Sequence, residues 1–554
     1  MSGGARGIII MMMMMTTPKA NNDTELDLSN TCISFLHLDL GIGGAEQLVL
    51  QLAHASVALM EEKGNNDDDD DDDNDDNDKK NRHNNKNNNR SIELWTTRCD
   101  PDHCFAAVRP GTGVLHHALR VRGRWIPAEV WGGRLRALCS SLRLWYLTAC
   151  WIWEKQRETK VSNNNGPPPT ATTTHIVVVD VLPTPLPVLR WCTTASLLFY
   201  CHFPDQLLVR GNNDASATRS IYRRVLNALE NATMPAADTI VVNSQFTRQV
   251  VQDTFPALRH SPHSTSDQTT LLPVLYPALD TTSLDADNNN NNKKTKLSPI
   301  VSLNRYERKK NLQLLLQAVA WIRQHHPDAK LPPIIIAGGY DTSNVENVEY
   351  RAELAQWVRD LHLDDDDGVQ VEFQLSISDA ARRKLLRTAL CVCYTPSHEH
   401  FGIVPLEAMY CQTPVLAVNN GGPVESVVDG VTGYLREPTA AAFGAALWTW
   451  IRDPDLAQRM GEAGRSHVQA KFGMDPRLVQ EWKALLATTV QRGRQRQQST
   501  GYRVTTALMV YGGEALLVII VYGVLLSMLR RLQLVEEDES LLSGIRRNFQ
   551  REEL

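Results

Sequence analysis

Short runs of aliphatic and β-branched residues recur along the chain at Cys32–Leu38, His175–Val181, Ser196–Cys201 and Thr239–Asn243. They recur again at Ile300–Leu303, Ile334–Ala337, Val369–Phe373, Cys391–Tyr394 and Val415–Val418. Between them the apolar positions take helical spacing, and this alternation predicts parallel, doubly wound α/β sheets. A Pro- and Asn-rich stretch ending near Ser298 separates the two series. The expected architecture is therefore two Rossmann-like domains, 31–297 and 298–498, with the site in the cleft between them. No period of a solenoid repeat is present.

Four biased segments interrupt the pattern: Asn65–Asn89, Asn163–Thr174, Asn288–Lys294 and Asp364–Asp367. They are too polar to bury a core and are expected to be solvated insertions. The Asp run lacks the spaced ligands, Gly and closing Glu of an EF-hand loop. Ahead of the first run, residues 1–30 are expected to be a disordered leader. Behind the last, 504–531 includes ALLVIIVYGVLLSML at Ala515–Leu529, apolar on every side, broken upstream by Glu514 and closed by Arg530 and Arg531. This is close to the roughly 20 residues a bilayer span needs, and it is read as a membrane segment, followed by a charged tail, 532–554.

A length of 554 residues exceeds a single core and fits two domains plus appendages. Hydrophobic content of 42% and charge of 22% are those of a chain that folds mostly in water. The net charge of −6 is inflated by the Asp run and gives no sign of a nucleic-acid partner. Ten cysteines without a repeated C-x-x-C spacing suggest reduced thiols and no zinc site.

The chemistry concentrates at strand ends. After the first run, LDLGIGGAEQ places Gly41, Gly43 and Gly44 at a strand-to-helix turn, where backbone N–H groups can meet a phosphate. By spacing it is only part of a dinucleotide fingerprint, so it gives little support to an oxidoreductase. LLFYCHFPDQLL closes a strand on His202, with Pro204 and Asp205 behind it. SLNRYERKKNL supplies Arg305, Arg308, Lys309 and Lys310 ahead of an amphipathic helix; Arg305 and Lys310 are the candidates to neutralise a diphosphate, while Arg308 and Lys309 read equally well as surface charge. In TPSHEHFGIVPLEAMYCQTPVLAVNNGGPVES, Glu399 and Glu407 stand seven residues apart around a Phe401-Gly402 turn that leads into a helix at Ile403. N–H groups at such a turn can hold phosphate or sugar hydroxyls, and the carboxylates can accept hydrogen bonds from a sugar. His398, Gly421, Gly422 and Pro423 sharpen that reading.

Together these segments resemble the retaining glycosyltransferases of the GT-B fold, whose signature is Glu, seven residues, Glu. FLHLDLGIGGAEQLVL, DPDHCF, YCHFPDQLL, NSQFTRQVV, SLNRYERKKNL and EHFGIVPLEAMYCQTPVLAVNNGGPVESV are similar, within that superfamily, to eukaryotic dolichol-pathway α-1,3/1,6-mannosyltransferases. The resemblance covers about residues 32–480 apart from the insertions. It implies GDP-mannose as donor, mannosyl-chitobiosyl diphosphodolichol as acceptor, and two successive additions for N-glycosylation. The implied place is the endoplasmic reticulum membrane, with catalytic domains in the cytosol and other dolichol-pathway mannosyltransferases as possible partners. It further implies that Arg305 and Lys310 hold the diphosphate, Glu407 the ribose and Glu399 a mannose hydroxyl. Gly43, Gly44, Phe401, Gly402 and Ile403 would line the donor, and His202 would lie near the transferred sugar. No metal and no cofactor are expected, since no D-x-D stands in a suitable position after one of the predicted strands and the Asp-rich runs lie in the insertions. A relative of the same fold using a UDP-sugar, and a catalytically silent scaffold, are the competing readings.

Overall fold

The computed structural model describes residues 30–66, 92–129, 135–164, 173–208, 217–258, 271–285, 294–364 and 369–499. The leader up to residue 29, most of each insertion, the apolar segment 504–531 and the tail 532–554 lie outside the described residues. Among the described residues no helix is long and apolar enough to cross a membrane.

Two six-stranded sheets form, every pairing within them parallel. The first contains β1 (Thr31–Asp39), β2 (Ile92–Arg98), β3 (Leu119–Val121), β4 (Thr174–Asp180), β5 (Ser196–Cys201) and β6 (Thr239–Val242), in the order β3-β2-β1-β4-β5-β6. The second contains β7 (Ile300–Leu303), β8 (Ile334–Gly338), β9 (Val371–Leu375), β10 (Cys391–Tyr394), β11 (Val415–Val418) and β12 (Gly433–Arg436), in the order β12-β11-β10-β7-β8-β9. Counted within its own domain, each sheet has the doubly wound order 3-2-1-4-5-6. The winding reverses between β1 and β4 in one and between β7 and β10 in the other. A crevice opens at the carboxyl ends of the strands at such a switch point.

The strands are apolar because helices cover both faces. Ile33, Phe35, Leu94, Ile176 and Val178 face one core of the first sheet, while Leu36, Trp95, Val177, Val179 and Phe199 face another. The second sheet divides in the same way between Ile300, Ile334, Cys391 and Leu416 on one side and Val301, Ile335, Val392 and Val415 on the other. β2, β3 and β12 are absent from the sequence expectation: IELWTTR is polar at four of its seven positions, and LRV and GYLR are shorter than a periodic signal requires.

The helix Val479–Gln498, assigned from sequence to the second domain, packs instead on the first. Leu478, Trp482, Leu486 and Val490 join the core around β1. Trp482 stacks on Phe35 at 6.3 Å and donates its indole N–H to Ser56 Oγ at 2.9 Å. Gly493 lets the helix press on β5, since a Cβ there would lie 2.3 Å from Ser196 Oγ. Near its end the buried Arg496 stands 3.4 Å from the buried Asp238. The chain thus crosses between domains a second time.

Candidate active site

The second domain contributes two loops, one after each strand flanking its switch point. After β7 the chain passes Arg305 and makes a single tight turn, Arg308–Lys310, closed by Asn311 at φ +50°. Thr395, just past β10, donates its hydroxyl to the Lys310 carbonyl at 2.6 Å and fixes this turn against the neighbouring strand end. Lys310 Nζ then reaches Glu399 Oε2 at 2.6 Å. The four cations of the segment separate. Arg308 pairs on the surface with Glu349 and Glu353, Lys309 pairs with Glu307 at 3.0 Å, and Arg305 is 67% exposed, 3.7 Å from Glu307. Lys310 alone of these four touches a carboxylate of the Glu-x7-Glu segment.

The turn after β10 is built for tight backbone approach. Gly402 sits at φ +88° with the Tyr394 ring where a side chain would lie, and the helix Ile403–Tyr410 starts immediately after it. Gly421 and Gly422 pack on the same turn: a Cβ on Gly422 would fall 2.2 Å from Phe401 Cα, and its N–H donates to the Glu399 carbonyl at 2.7 Å. Asn420 Oδ1 accepts the His398 N–H at 2.6 Å, and Pro423 opens the next short helix at its first turn. The first-turn N–H groups of Ile403–Tyr410 have no intrahelical partner, as in any helix, and face the crevice end of the sheet.

The two carboxylates differ in environment. Burial pushes the Glu399 carboxyl up, but the adjacent Lys310 ammonium outweighs it and holds the group below its ordinary range. Glu407 is buried, and desolvation keeps its carboxyl above the ordinary range although Arg382 pairs with it. Tyr394, also buried, presents its hydroxyl toward Glu399.

The first domain supplies the opposite wall. Gly43 and Gly44 stand where β1 gives way to the helix Gly44–Asn66. Nothing lies within 4 Å of a Cβ on Gly44, whereas one on Gly43 would meet the Glu46 carboxylate at 2.3 Å. His202 follows β5 and bonds through Nε2 to Asp180 Oδ2, 3.2 Å away, at the end of β4. Asp180 also binds His37 Nδ1 at 2.8 and 2.9 Å. Next to His202, Phe203 stacks on His400 with ring centres 3.7 Å apart and planes within 9°. Burial drives the His400 imidazole down to about 4, so it packs as a neutral ring. Ser244 donates to the His400 carbonyl at 2.6 Å, and Glu425 accepts the Gln245 and Phe246 N–H groups and the Tyr276 hydroxyl at 2.7–2.9 Å. These contacts hold the two walls together one residue from His202 and one from Glu399.

His37, Asp180, Arg382, Tyr394, His400 and Glu425 escaped the sequence reading. Asp180 left a trace, an acid closing the apolar run HIVVVD at a strand's carboxyl end. Arg382 left none, since a cation in DAARRKLLRT is unremarkable until the fold lays it on Glu407. Among the described residues no group of three His, Cys, Asp or Glu side chains is placed to hold a metal ion, and all ten cysteines are free thiols.

A family model described as glycosyl transferases group 1 matches residues 284–467. Among solved structures, a sucrose-phosphate synthase from Thermosynechococcus elongatus superposes with TM-score 0.52 at 19% identity, over 84% of this chain and 98% of that one. The N-terminal domain of a Candida albicans trehalose-6-phosphate phosphatase also superposes with TM-score 0.52, at 12% identity, over 86% and 99%. At such identities they speak for the fold alone. The human α-1,3/1,6-mannosyltransferase ALG2 is 38% identical over 448 residues, covering 79% of this chain and 92% of its own. The Dictyostelium discoideum protein of that name is 32% identical over 464 residues, covering 80% and 95%. With relatives this similar over nearly their whole length, the chain belongs to the ALG2 family of α-1,3/1,6-mannosyltransferases, enzymes built here on the two-domain GT-B fold.

Proposed function

We propose that the enzyme transfers mannose from GDP-mannose to mannosyl-chitobiosyl diphosphodolichol, first in α-1,3 and then in α-1,6 linkage. The proposed setting is the endoplasmic reticulum membrane, with both catalytic domains on the cytosolic side. The observation that carries the donor assignment is the pairing of Lys310 with Glu399 beside the helix start at Ile403. It puts a cation, a hydrogen-bond acceptor and free N–H groups at one switch point.

In this reading Lys310 and Arg305 take the diphosphate and stabilise it as it leaves, because the negative charge on the departing oxygen grows in the transition state. Glu399, kept ionised by Lys310, accepts a hydrogen bond from a mannose hydroxyl. Glu407, held in place by Arg382, receives the ribose hydroxyls. The N–H groups after Phe401, at Gly402 and Ile403, approach the donor from one wall, and Gly43 and Gly44 approach the phosphates from the other. The acceptor hydroxyl attacks from the face the GDP leaves, which retains the α configuration and requires orientation above all. No metal and no cofactor enter this scheme, and other dolichol-pathway mannosyltransferases are its natural neighbours on the membrane.

Donor-dependent kinetics of the purified full chain test this reading. Loss of a charge-assisted contact costs about 1.5–3 kcal/mol, so Lys310→Ala should lower kcat/KM for GDP-mannose roughly 10- to 100-fold. Inhibition by GDP should weaken in parallel. Turnover of a UDP-sugar in preference to GDP-mannose would contradict the donor assignment.

A further inference from the structure

The hydrogen-bond partners of His37 determine its protonation. Nδ1 faces both oxygens of Asp180, at 2.8 and 2.9 Å, and Nε2 faces the carbonyl oxygen of Asp39 at 3.0 Å. A backbone carbonyl can only accept, and an ionised carboxylate can only accept, so both ring nitrogens must donate. His37 is therefore an imidazolium, buried with its counter-ion at 3% and 2% exposure. Burial opposes its charge, yet Asp180 beside it more than compensates and raises the group to about 9. Burial likewise pushes Asp180 up, and the two histidines bring it down to about 2.

The same anion then determines His202. Its Nε2 lies 3.2 Å from Asp180 Oδ2, an oxygen with no proton to give, so Nε2 carries the hydrogen. In the neutral ring that leaves Nδ1 unprotonated, with a lone pair able to accept. Tyr200 packs against the ring with centres 4.9 Å apart, and Asn243 holds the backbone beneath it, its side chain donating to the His202 carbonyl at 3.1 Å. His202 itself remains 22% exposed and borders the Phe203–His400 contact between the domains.

We propose that His37 and Asp180 are positioning residues that hold His202 in its Nε2–H tautomer, so that Nδ1 serves as a hydrogen-bond acceptor for a hydroxyl of the reacting sugars. The second half rests on the placement of His202 near the transferred mannose; the tautomer does not. A buried anion unaccompanied by His37 would be costly, and the imidazolium makes the pair neutral overall while Oδ2, which His37 also reaches, still accepts from His202. The three residues come from the ends of β1, β4 and β5 and lock only when those adjacent strands are in register.

The full chain, labelled with 15N-histidine, gives the test by two-bond proton–nitrogen correlation, which reports the protonated nitrogen of each ring; His202→Gln and His37→Gln assign the signals. A doubly protonated His37 and an Nε2–H His202 are expected in the wild type at neutral pH. In Asp180→Asn, whose side chain can either donate or accept, His202 should lose its single tautomer. There kcat should fall about 10- to 100-fold, with KM for GDP-mannose changing less than about twofold. An Nδ1–H His202 in the wild type, or Asp180→Asn leaving both tautomer and kcat unchanged, would overturn the proposal. Should Asp180→Asn fail to fold, the wild-type spectrum alone decides. A chain that showed the expected tautomers but consumed no GDP-mannose would refute the donor assignment while supporting the positioning role.

Discussion

His37 is buried and His400 partly buried, and their opposite protonation makes opposite demands on pH. His37 is raised in the folded protein from 6.5 to about 9, so its contribution to stability is complete below pH 6.5 and is lost as pH climbs through about 9. Asp180 is depressed from 3.8 to about 2, and its contribution holds above pH 3.8 and disappears as pH falls through about 2. His400 is depressed to about 4, so the folded state loses stability as pH falls from 6.5 toward 4, where the unfolded chain binds the proton first. Asp180, the Asp39 carbonyl and Glu46 are the groups that face His37. His37→Gln should therefore flatten the decline of the urea midpoint between pH 6.5 and 9 relative to wild type; parallel curves would show that His37 is not charged. At this scale the sequence discloses the exposed half of the chemistry. Glu399, Lys310 and His202 follow strand ends and could be read from motifs, whereas His37 and Asp180 lie within apolar runs and acquire meaning only when β1 and β4 pair.

Among the elements, the glycines do different work at the two walls. Gly422 presses on backbone, so Gly422→Ala must displace Phe401 and the Glu399 turn, and overpacking of this kind costs about 1–3 kcal/mol. A Cβ on Gly44 would meet nothing within 4 Å, so Gly44→Ala should leave the unfolding midpoint unchanged. If a phosphate approaches there, the same variant should raise KM for the donor. Urea unfolding and initial rates on both variants separate packing from binding; an unchanged KM in Gly44→Ala would remove the first-domain glycines from the donor site. The repeated strand-to-helix pattern was enough to foresee two parallel sheets, since runs such as HIVVVD and SLLFYC are buried along most or all of their length. β2 was not legible, because Glu93, Thr96 and Thr97 look solvent-facing in sequence but are buried and bonded, Glu93 to Lys155 at 2.6 Å and Thr97 to the Leu38 carbonyl at 2.7 Å.

On the scale of the whole molecule, the two domains are joined by more than the chain passing once between them. The Val479–Gln498 helix carries Trp482 back into the first core, and Glu425 caps Gln245 and Phe246 across the cleft. A reading of local pattern assigns that helix to its nearest neighbours in sequence, because its apolar positions specify a face to be buried and not the partner that buries it. The second crossing and the Phe203–His400 contact bring His202 and Glu399 to a common cleft, which no single window of sequence contains. The proposed reaction extends, in this cleft, a lipid-linked chitobiose carrying one mannose by two further mannoses taken from GDP-mannose. The most direct measurement is mass spectrometry of synthetic mannosyl-chitobiosyl diphospholipid after incubation with the detergent-purified full chain and GDP-mannose, with Glu399→Ala in parallel. A product two hexoses heavier is expected, strongly reduced in the variant; hexose addition from a UDP-sugar alone, or none from any donor, would contradict the proposed reaction.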